Sequence, residues 1–150
     1  IAAGIASTVK NLGYTPRVAL LSFSNFGSLS RPSSENIKQA VKILDERKVN
    51  FEFDGEMTPE VALDYDLIKK NYPFCRLSGA ANVLIMPSLL SANISFKLLQ
   101  KLGGDSILGP LMIGGEKPFQ IVQMGSSVSD IVNSASIATY NSLYSNWEMF

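Results

Sequence analysis

Histidine is absent from the 150-residue sequence, and cysteine occurs once, at Cys75. Without histidine, the chain by itself can form no catalytic Cys-His pair, no Ser-His-Asp triad and no histidine-rich metal site. A single cysteine allows no internal disulfide bond, which is typical of a reducing compartment. Because the base that would activate a thiol is missing, we interpret Cys75 as a small buried apolar residue and not as a nucleophile.

A net excess of charge is also absent. Thirteen basic and thirteen acidic residues cancel, and no dense run of either sign occurs, so we expect no nucleic-acid partner. The apolar runs are far shorter than the ~20 residues of a membrane helix, and no basic region precedes the apolar start of the chain. We therefore expect a cytoplasmic protein that does not associate with membranes. Its 46% hydrophobic residues are enough to bury the core of one domain.

The segment 79–103 predicts a strand that leads directly into a helix. Val83–Met86 is an uninterrupted apolar run bounded by Gly79 and Pro87, which favours a strand buried on both faces of a parallel sheet. After Pro87 the apolar residues recur at helical spacing until Gly103. We expect the chain to be organised around this unit, with a second central strand at Val18–Leu21.

The remaining patterns complete an alternating order of strands and helices. We predict further strands at Phe51–Phe53, Ile107–Gly114 and Phe119–Val122, and helices at Ala2–Leu12, from Pro32 to Leu44, from Thr58 to Ile68, and after Ser127. This order predicts an α/β fold with a doubly wound, mostly parallel sheet and helices on both of its faces. Because the first helix is already under way at Ala2 and Ile1 is not methionine, we expect the chain to be part of a longer polypeptide.

Two loops carry polar groups that suit a site. Ser24–Ser28 follows a predicted strand and precedes a helix, where backbone N–H groups and hydroxyls can bind an anion, although an ordinary connecting loop fits the composition as well. Asp54 and Glu56 flank a glycine; they could act as acid and base or bind a divalent ion, but we favour a turn with a structural carboxylate.

Three further polar residues have a structural interpretation, and for Asn93 and Arg76 a functional one competes with it. Asn93 lies within a predicted helix, either as a satisfied buried amide or as a ligand contact near the carboxyl end of the sheet. Arg76 can pair with a carboxylate or with an anionic ligand, and the ion pair is the commoner case. Asp130 completes the capping box of Ser127–Asp130, in which a serine and an acid satisfy each other's backbone donors.

Seven segments together resemble a known family. They read Val18-Ala-Leu-Leu-Ser-Phe-Ser-Asn-Phe-Gly-Ser28, Asp54-Gly-Glu-Met57, Asn82-Val-Leu-Ile-Met-Pro87, Ala92-Asn-Ile-Ser-Phe-Lys-Leu98, Leu108-Gly-Pro-Leu111, Lys117-Pro118 and Gly125-Ser-Ser-Val-Ser-Asp-Ile-Val-Asn133. In this order they resemble the carboxyl-terminal half of phosphate acetyltransferases. More specifically, the chain is similar to the phosphotransacetylase-like domain fused behind bacterial NADP-dependent malic enzymes, a branch to which the Ser24–Ser28 loop and Phe74–Gly79 point.

The resemblance implies a fold and a set of partners. The fold is the two-lobed one related to isocitrate dehydrogenase, of which residues 16–123 are the second lobe and 124–150 a terminal helix that returns to the first. The parent protein would carry an amino-terminal malic enzyme domain that converts malate to pyruvate with NADP and Mg²⁺ or Mn²⁺, whereas this chain needs no cofactor. Members of the family associate through this region, so the resemblance also implies a homo-oligomer such as a dimer.

The resemblance also bears on catalysis. Active phosphotransacetylases carry Ser-Arg before the glycine of the last motif; here those positions are Gln123 and Met124, while Asp130 is kept. Methionine replaces neither the charge nor the fork geometry of a guanidinium. We therefore expect no catalytic residue in this chain, but a regulatory and oligomerisation domain that binds acetyl-CoA or a related acyl-CoA or acetyl phosphate. The expected binding residues are Ser24, Asn25, Gly27, Ser28, Asn93, Gly125, Ser126 and Asp130. Residual phosphate acetyltransferase activity and a pure dimerisation module are the alternatives.

Overall fold

The structure is a computed structural model that describes residues 1–28, 32–103, 107–115 and 117–144, without the side chains of 32–34 and 144. The chain divides into two compact units, Ile1–Ile94 and Ser95–Phe150. Three strands and six helices are described: α1 (Ala2–Asn11), β1 (Arg17–Leu21), α2 (Pro32–Glu46), β2 (Glu52–Met57), α3 (Pro59–Leu63), α4 (Tyr65–Asn71), β3 (Val83–Ile85), α5 (Leu89–Leu102) and α6 (Val128–Tyr144). The predicted α/β class is confirmed, whereas the expected division at residue 123 stays a prediction.

The sheet of the first unit is parallel and has the order β2-β1-β3. Its middle strand is β1, in which Leu20 stands opposite Gly55 of β2 and Ile85 of β3. The expectation that the 79–103 unit lies at the centre is therefore wrong, because β3 pairs on one side only among the described strands. Continuous burial of Val18–Leu21 fits the middle position, since a strand covered on both faces has no solvent-facing side chains.

Helices pack on both faces of this sheet, as predicted. Residues of α1 and α2 cover one face and residues of α3 and α4 cover the other. Alternate residues of β1 contribute to the two cores, because successive side chains of a strand point in opposite directions. The first core contains Ala6, Val18, Leu20, Ile37, Leu44, Phe53 and Val83, and the second contains Ala19, Leu21, Met57, Val61, Ala62, Ile68, Leu77 and Ala81.

Two predicted boundaries in the first unit are wrong. Asp54–Glu56 is not a turn, because β2 continues to Met57 and pairs with β1. The helix expected from Thr58 to Ile68 is two helices that meet at Asp64, whose carboxylate accepts the Leu67 N–H at 2.9 Å. Asp64 interrupts the helix because its side chain caps α4, a role in which an aspartate competes with continuous helix.

The two strands predicted in the second unit, Ile107–Gly114 and Phe119–Val122, are not formed among the described residues. Pro110 and Pro118 lack the N–H that a sheet ladder requires. The two segments are instead joined by a side chain. Gln120 Oε1 accepts the Met112 N–H at 2.9 Å, and Gln120 Nε2 donates to the Met112 carbonyl at 3.1 Å.

Helices α5 and α6 bury few apolar side chains. Helix α5 has no buried residue, and Leu90, Ile94 and Leu98 are all more than half exposed. Helical spacing also predicts that Ile131 and either Leu143 or Trp147 face inward on α6; Ile131 and Leu143 are exposed instead, and Trp147 lies outside the described residues. Among the described helices, none has the length and apolar character needed to cross a membrane.

Candidate functional site

The Ser24–Ser28 loop follows β1 and closes around one carboxylate. Ser24 is buried, and its Oγ donates to Glu56 Oε1 at 2.7 Å; the Gly27 N–H donates to the same oxygen at 3.2 Å. The Phe26 N–H donates to the Glu56 carbonyl at 2.7 Å. Phe26 and Gly27 both have positive φ, 48° and 82°, which turns successive N–H groups toward Glu56. The inner donors of the loop are therefore engaged by Glu56 of the protein itself.

Asn25 fastens the other side of this loop. Its Oδ1 accepts the Thr58 N–H at 2.7 Å and the Thr58 hydroxyl at 3.2 Å, just after β2 ends. Within the loop, the Ser28 N–H donates to the Asn25 carbonyl at 3.0 Å, and the Asn25 N–H donates to Ser28 Oγ at 3.3 Å. The loop is therefore held to β2 at two points, through Glu56 and through Thr58.

Glu56 is the most deeply buried charged residue of this region, with 1% of its surface exposed. Its Oε1 accepts the two donors described above, whereas no group of the described residues donates to its Oε2. A buried carboxylate oxygen without a hydrogen-bond donor lowers the stability of the fold unless other contacts compensate for the lost hydration. The Glu56 carboxylate therefore loses its hydration, while its hydrogen bonds fix the conformation of the Ser24–Ser28 loop. This role was not foreseen, because the contact joins residues 32 positions apart.

Asp54 has a structural role in a separate network. Its Oδ2 accepts the Arg76 N–H at 2.8 Å, and its Oδ1 accepts the Gly55 N–H at 2.9 Å and Arg76 Nη2 at 3.3 Å. Arg76 also pairs with Asp45 and lies 4.4 Å from the Phe53 ring centroid. Partial burial opposes its charge, yet the hydrogen bonds and attraction of Asp54 and Asp45 raise the Arg76 pKa. The ion-pair interpretation of Arg76 is confirmed.

Neither carboxylate of Asp54–Glu56 has the surroundings of a metal ligand. Within the described part of the chain, no group of three or more His, Cys, Asp or Glu residues is placed to bind a metal ion. Cys75 packs against the second core, and its burial raises the pKa of its thiol, with smaller contributions from Asp54. A thiol held protonated in this way is a poor nucleophile, in agreement with its interpretation as an apolar residue.

The second unit contains a cavity of about 190 Å³. Three of the expected binding residues line it together: Gly125, Ser126 and Asp130. The complete lining is Gln100, Ile107, Leu108, Gly109, Pro110, Ile121, Val122, Gln123, Met124, Gly125, Ser126, Asp130 and Ser134. Asp130 is the one charged residue of this set, so the lining described here contains no cation for an anionic ligand.

Asp130 is the acid of the predicted capping box, which the structure confirms. Its Oδ2 accepts the Ser127 N–H at 2.9 Å and the Ser127 hydroxyl at 2.8 Å, and its own N–H donates to Ser127 Oγ at 3.2 Å. Hydrogen bonds from the Ser127 side chain and backbone lower the Asp130 pKa below its usual value. The carboxylate is consequently ionised at neutral pH and oriented by the start of α6.

Two residues near these features were missed from the sequence. The charged residues of α2 predict a solvated surface that includes Lys38, but the Lys38 ammonium lies at the Ser24–Ser28 loop, 3.8 Å from where a Cβ on Gly27 would stand. Ser134 lines the cavity, and its spacing of four from Asp130 on a helix is the signal that indicates a shared face. Asn93 is exposed on α5, so the buried-amide interpretation of this residue is wrong.

Comparison with known proteins places these features in a family context. The family model for phosphate acetyl/butaryl transferase matches residues 1–139. The chain is 54% identical over 141 residues to an NADP-dependent malic enzyme of Rhizobium meliloti, covering 94% of this chain and 18% of that protein. It is 40% identical over 134 residues to a phosphate acetyltransferase of Treponema pallidum, covering 87% of this chain and 40% of that protein.

Solved structures agree with the sequence relatives. The EutD phosphotransacetylase from Staphylococcus aureus superimposes with a TM-score of 0.82 at 34% identity, over 93% of this chain and 43% of that one. A phosphotransacetylase from Streptococcus pyogenes gives a TM-score of 0.87 at 31% identity, over 96% of this chain and 44% of that one. The chain thus spans less than half the length of each of these relatives.

Proposed function

The chain belongs to the phosphate acetyl/butaryl transferase family, and we propose that it is the phosphotransacetylase-like region of an NADP-dependent malic enzyme. In this proposal it binds acetyl-CoA, or a related acyl-CoA or acetyl phosphate, as a regulatory and oligomerisation domain and does not transfer acetyl groups. The malic enzyme domain lies elsewhere in the same polypeptide and binds NADP and the divalent metal. The similarity of this chain to malic enzymes, with 54% identity to that of Rhizobium meliloti, supports this assignment.

The composition of the cavity is the observation that supports the absence of acetyl transfer. An acetyl phosphate substrate needs cationic groups, and the resemblance places an arginine where this chain has Met124. Met124 is fully exposed, and its thioether donates no hydrogen bond. Asp130, the one charged residue of the lining, repels an anion.

The state of Asp130 argues in the same direction. A general base works best when its pKa lies near the working pH, but the hydrogen bonds from Ser127 lower the pKa of this carboxyl below its usual value. As a base toward a CoA thiol it would therefore be weak. A cavity of about 190 Å³ is also smaller than the ~300–1,000 Å³ of sites that enclose a whole ligand, so it suits the acyl end of an acyl-CoA.

The exposed apolar surface of α5 supports the assembly part. Leu90, Ile94, Leu98 and Leu102 are spaced four residues apart, and each is at least 53% exposed. A helix stripe of this kind is normally buried against a partner. We propose that this stripe packs within the assembled malic enzyme.

The test uses the complete malic enzyme polypeptide. We expect acetyl-CoA to change the rate of malate oxidation and the purified protein to form no acetyl phosphate from acetyl-CoA and phosphate. Acetyl transfer at an enzymatic rate would instead establish the residual phosphate acetyltransferase. A stable oligomer whose malate oxidation does not respond to acetyl-CoA, and which binds none, would establish a pure dimerisation module.

A further inference from the structure

Gly27 of the Ser24–Ser28 loop lies between two side chains of opposite charge, Glu56 and Lys38. Its N–H is directed at Glu56 Oε1, 3.2 Å away. A Cβ built on the same residue would stand 3.8 Å from Lys38 Nζ. The negative group is buried, whereas Gly27 and Ser28 are exposed. The solvent-accessible side of this loop therefore carries the positive charge.

The inner donors of the loop are not free to bind a ligand. Ser24 Oγ and the Gly27 N–H both donate to Glu56, and an anion that used them would have to displace a buried carboxylate. Leaving that carboxylate buried without its donors would be strongly unfavourable. An anion that approaches the loop consequently meets its exposed side first.

Lys38 is suited to meet it there. The lysine is half-buried on α2, so its stem is packed while its ammonium reaches the loop. Among the described residues Lys38 forms no salt bridge, in contrast to Lys42 one turn later, which pairs with Glu46 at 3.9 Å. Its charge therefore has no carboxylate partner in the described part of the chain.

Ser28 supplies a second donor next to Gly27. Its Oγ accepts the Asn25 N–H at 3.3 Å, which leaves the hydroxyl proton for another acceptor. No acceptor for that proton is found among the described residues. Because Gly27 has no side chain, no Cβ blocks the approach of a tetrahedral group to Lys38 and Ser28.

We propose that Lys38 Nζ and Ser28 Oγ, beside Gly27, form a subsite for a phosphate group. A compact ammonium together with a hydroxyl donor is a recurrent way to bind phosphate. The phosphate can belong to an acyl-CoA or be free phosphate or acetyl phosphate. The inference deepens the proposed function. It rests on that function only where the phosphate belongs to an acyl-CoA.

The experiment compares four forms of the complete polypeptide by isothermal titration: wild type, Lys38→Gln, Lys38→Arg and Lys42→Gln. Acetyl-CoA and inorganic phosphate are titrated separately. We expect Lys38→Gln to weaken binding roughly tenfold, equivalent to about 1.4 kcal/mol. Lys42→Gln makes the same change of charge on the same helix, and Lys38→Arg keeps the charge, so we expect both within about threefold of wild type. Thermal unfolding of each variant checks that it is folded.

The outcomes separate the subsite from the proposed function. If wild type binds acetyl-CoA and Lys38→Gln binds it equally tightly, the subsite is wrong and the sensor proposal stands. If wild type binds only inorganic phosphate and loses it in Lys38→Gln, the subsite stands and the acyl-CoA proposal fails. If Lys38→Gln only lowers the unfolding temperature, the lysine is a counter-charge to Glu56 and the subsite is overturned. Failure to bind either ligand overturns both.

Discussion

Replacing Glu56 by alanine tests whether this carboxylate holds the Ser24–Ser28 loop. The substitution leaves the buried Ser24 hydroxyl and the Gly27 N–H without their acceptor. Each donor so orphaned costs about 1–3 kcal/mol. Relief of the unpartnered Oε2 offsets part of this loss. We therefore expect Glu56→Ala to lower the free energy of unfolding by about 3 kcal/mol.

Two further variants make this prediction specific. Glu56→Gln keeps one oxygen for both donors and removes the buried charge, so we expect it to stay within about 1.5 kcal/mol of wild type. Glu46→Ala removes a carboxylate that is exposed and makes one ion pair with Lys42, for which about 0.5 kcal/mol or less is expected.

Urea unfolding followed by circular dichroism gives the free energies, with the slope against denaturant checked for constancy. Amide hydrogen exchange adds a local measure, since the Gly27 N–H loses its acceptor only when Glu56 is removed. If Glu56→Ala unfolds at the same urea concentration as Glu46→Ala, the carboxylate does not hold the loop. Equal losses in Glu56→Ala and Glu56→Gln would show that the charge, and not the acceptor oxygen, is what the loop requires.

Three other predictions follow from the packing, the helix start and the exposed stripe. Gly55→Ala would place a Cβ 2.7 Å from the Leu20 carbonyl oxygen, so two paired strands would have to separate. We expect the free energy of unfolding in urea to fall by about 3 kcal/mol or more, and a fall of less than about 1 kcal/mol would contradict that contact. Hydrogen bonds from Ser127 lower the Asp130 pKa, so the contribution of this carboxylate to stability is complete above the usual pKa of 3.8 and disappears as the pH falls through the lowered pKa. Asp130→Asn should remove that acid dependence, and a carboxyl pKa at or above 3.8 by NMR titration would refute the assignment. Leu98→Asp should weaken oligomers of the complete polypeptide in sedimentation velocity while Lys97→Asp does not, and an unchanged distribution in both would exclude the α5 stripe as an interface.

The sequence predicted features whose cause is local. The apolar run Val18–Leu21 became a strand because it is long enough and continuous enough to be covered on both faces. The capping box of Ser127 and Asp130 formed because its two partners are three residues apart and need no tertiary contact. The family resemblance, confirmed by the match over residues 1–139, used such local motifs jointly.

Features that depend on distant partners were not predictable in the same way. The strand expected at Ile107–Gly114 had the right composition, but strand formation needs a neighbouring edge, and Gln120 holds Met112 in place of one. The anchoring of Ser24 by Glu56 depends on β1 and β2 pairing in one register. The position of Lys38 depends on where α2 crosses the loop, which helical periodicity does not indicate. Ser24 and Glu56 are brought together by the parallel sheet and not by their spacing in the sequence.

Binding of acetyl-CoA to the complete malic enzyme polypeptide tests the central claim most directly. Isothermal titration, repeated at several temperatures, should show saturable binding that weakens in Asp130→Ala, because the hydrogen bonds of Asp130 to Ser127 hold the start of α6 next to Gly125 and Ser126 of the same cavity. Glu46→Ala, a matched removal of an exposed carboxylate, should bind as wild type does. Absence of heat at every temperature would contradict the sensor proposal and leave the chain as an assembly module.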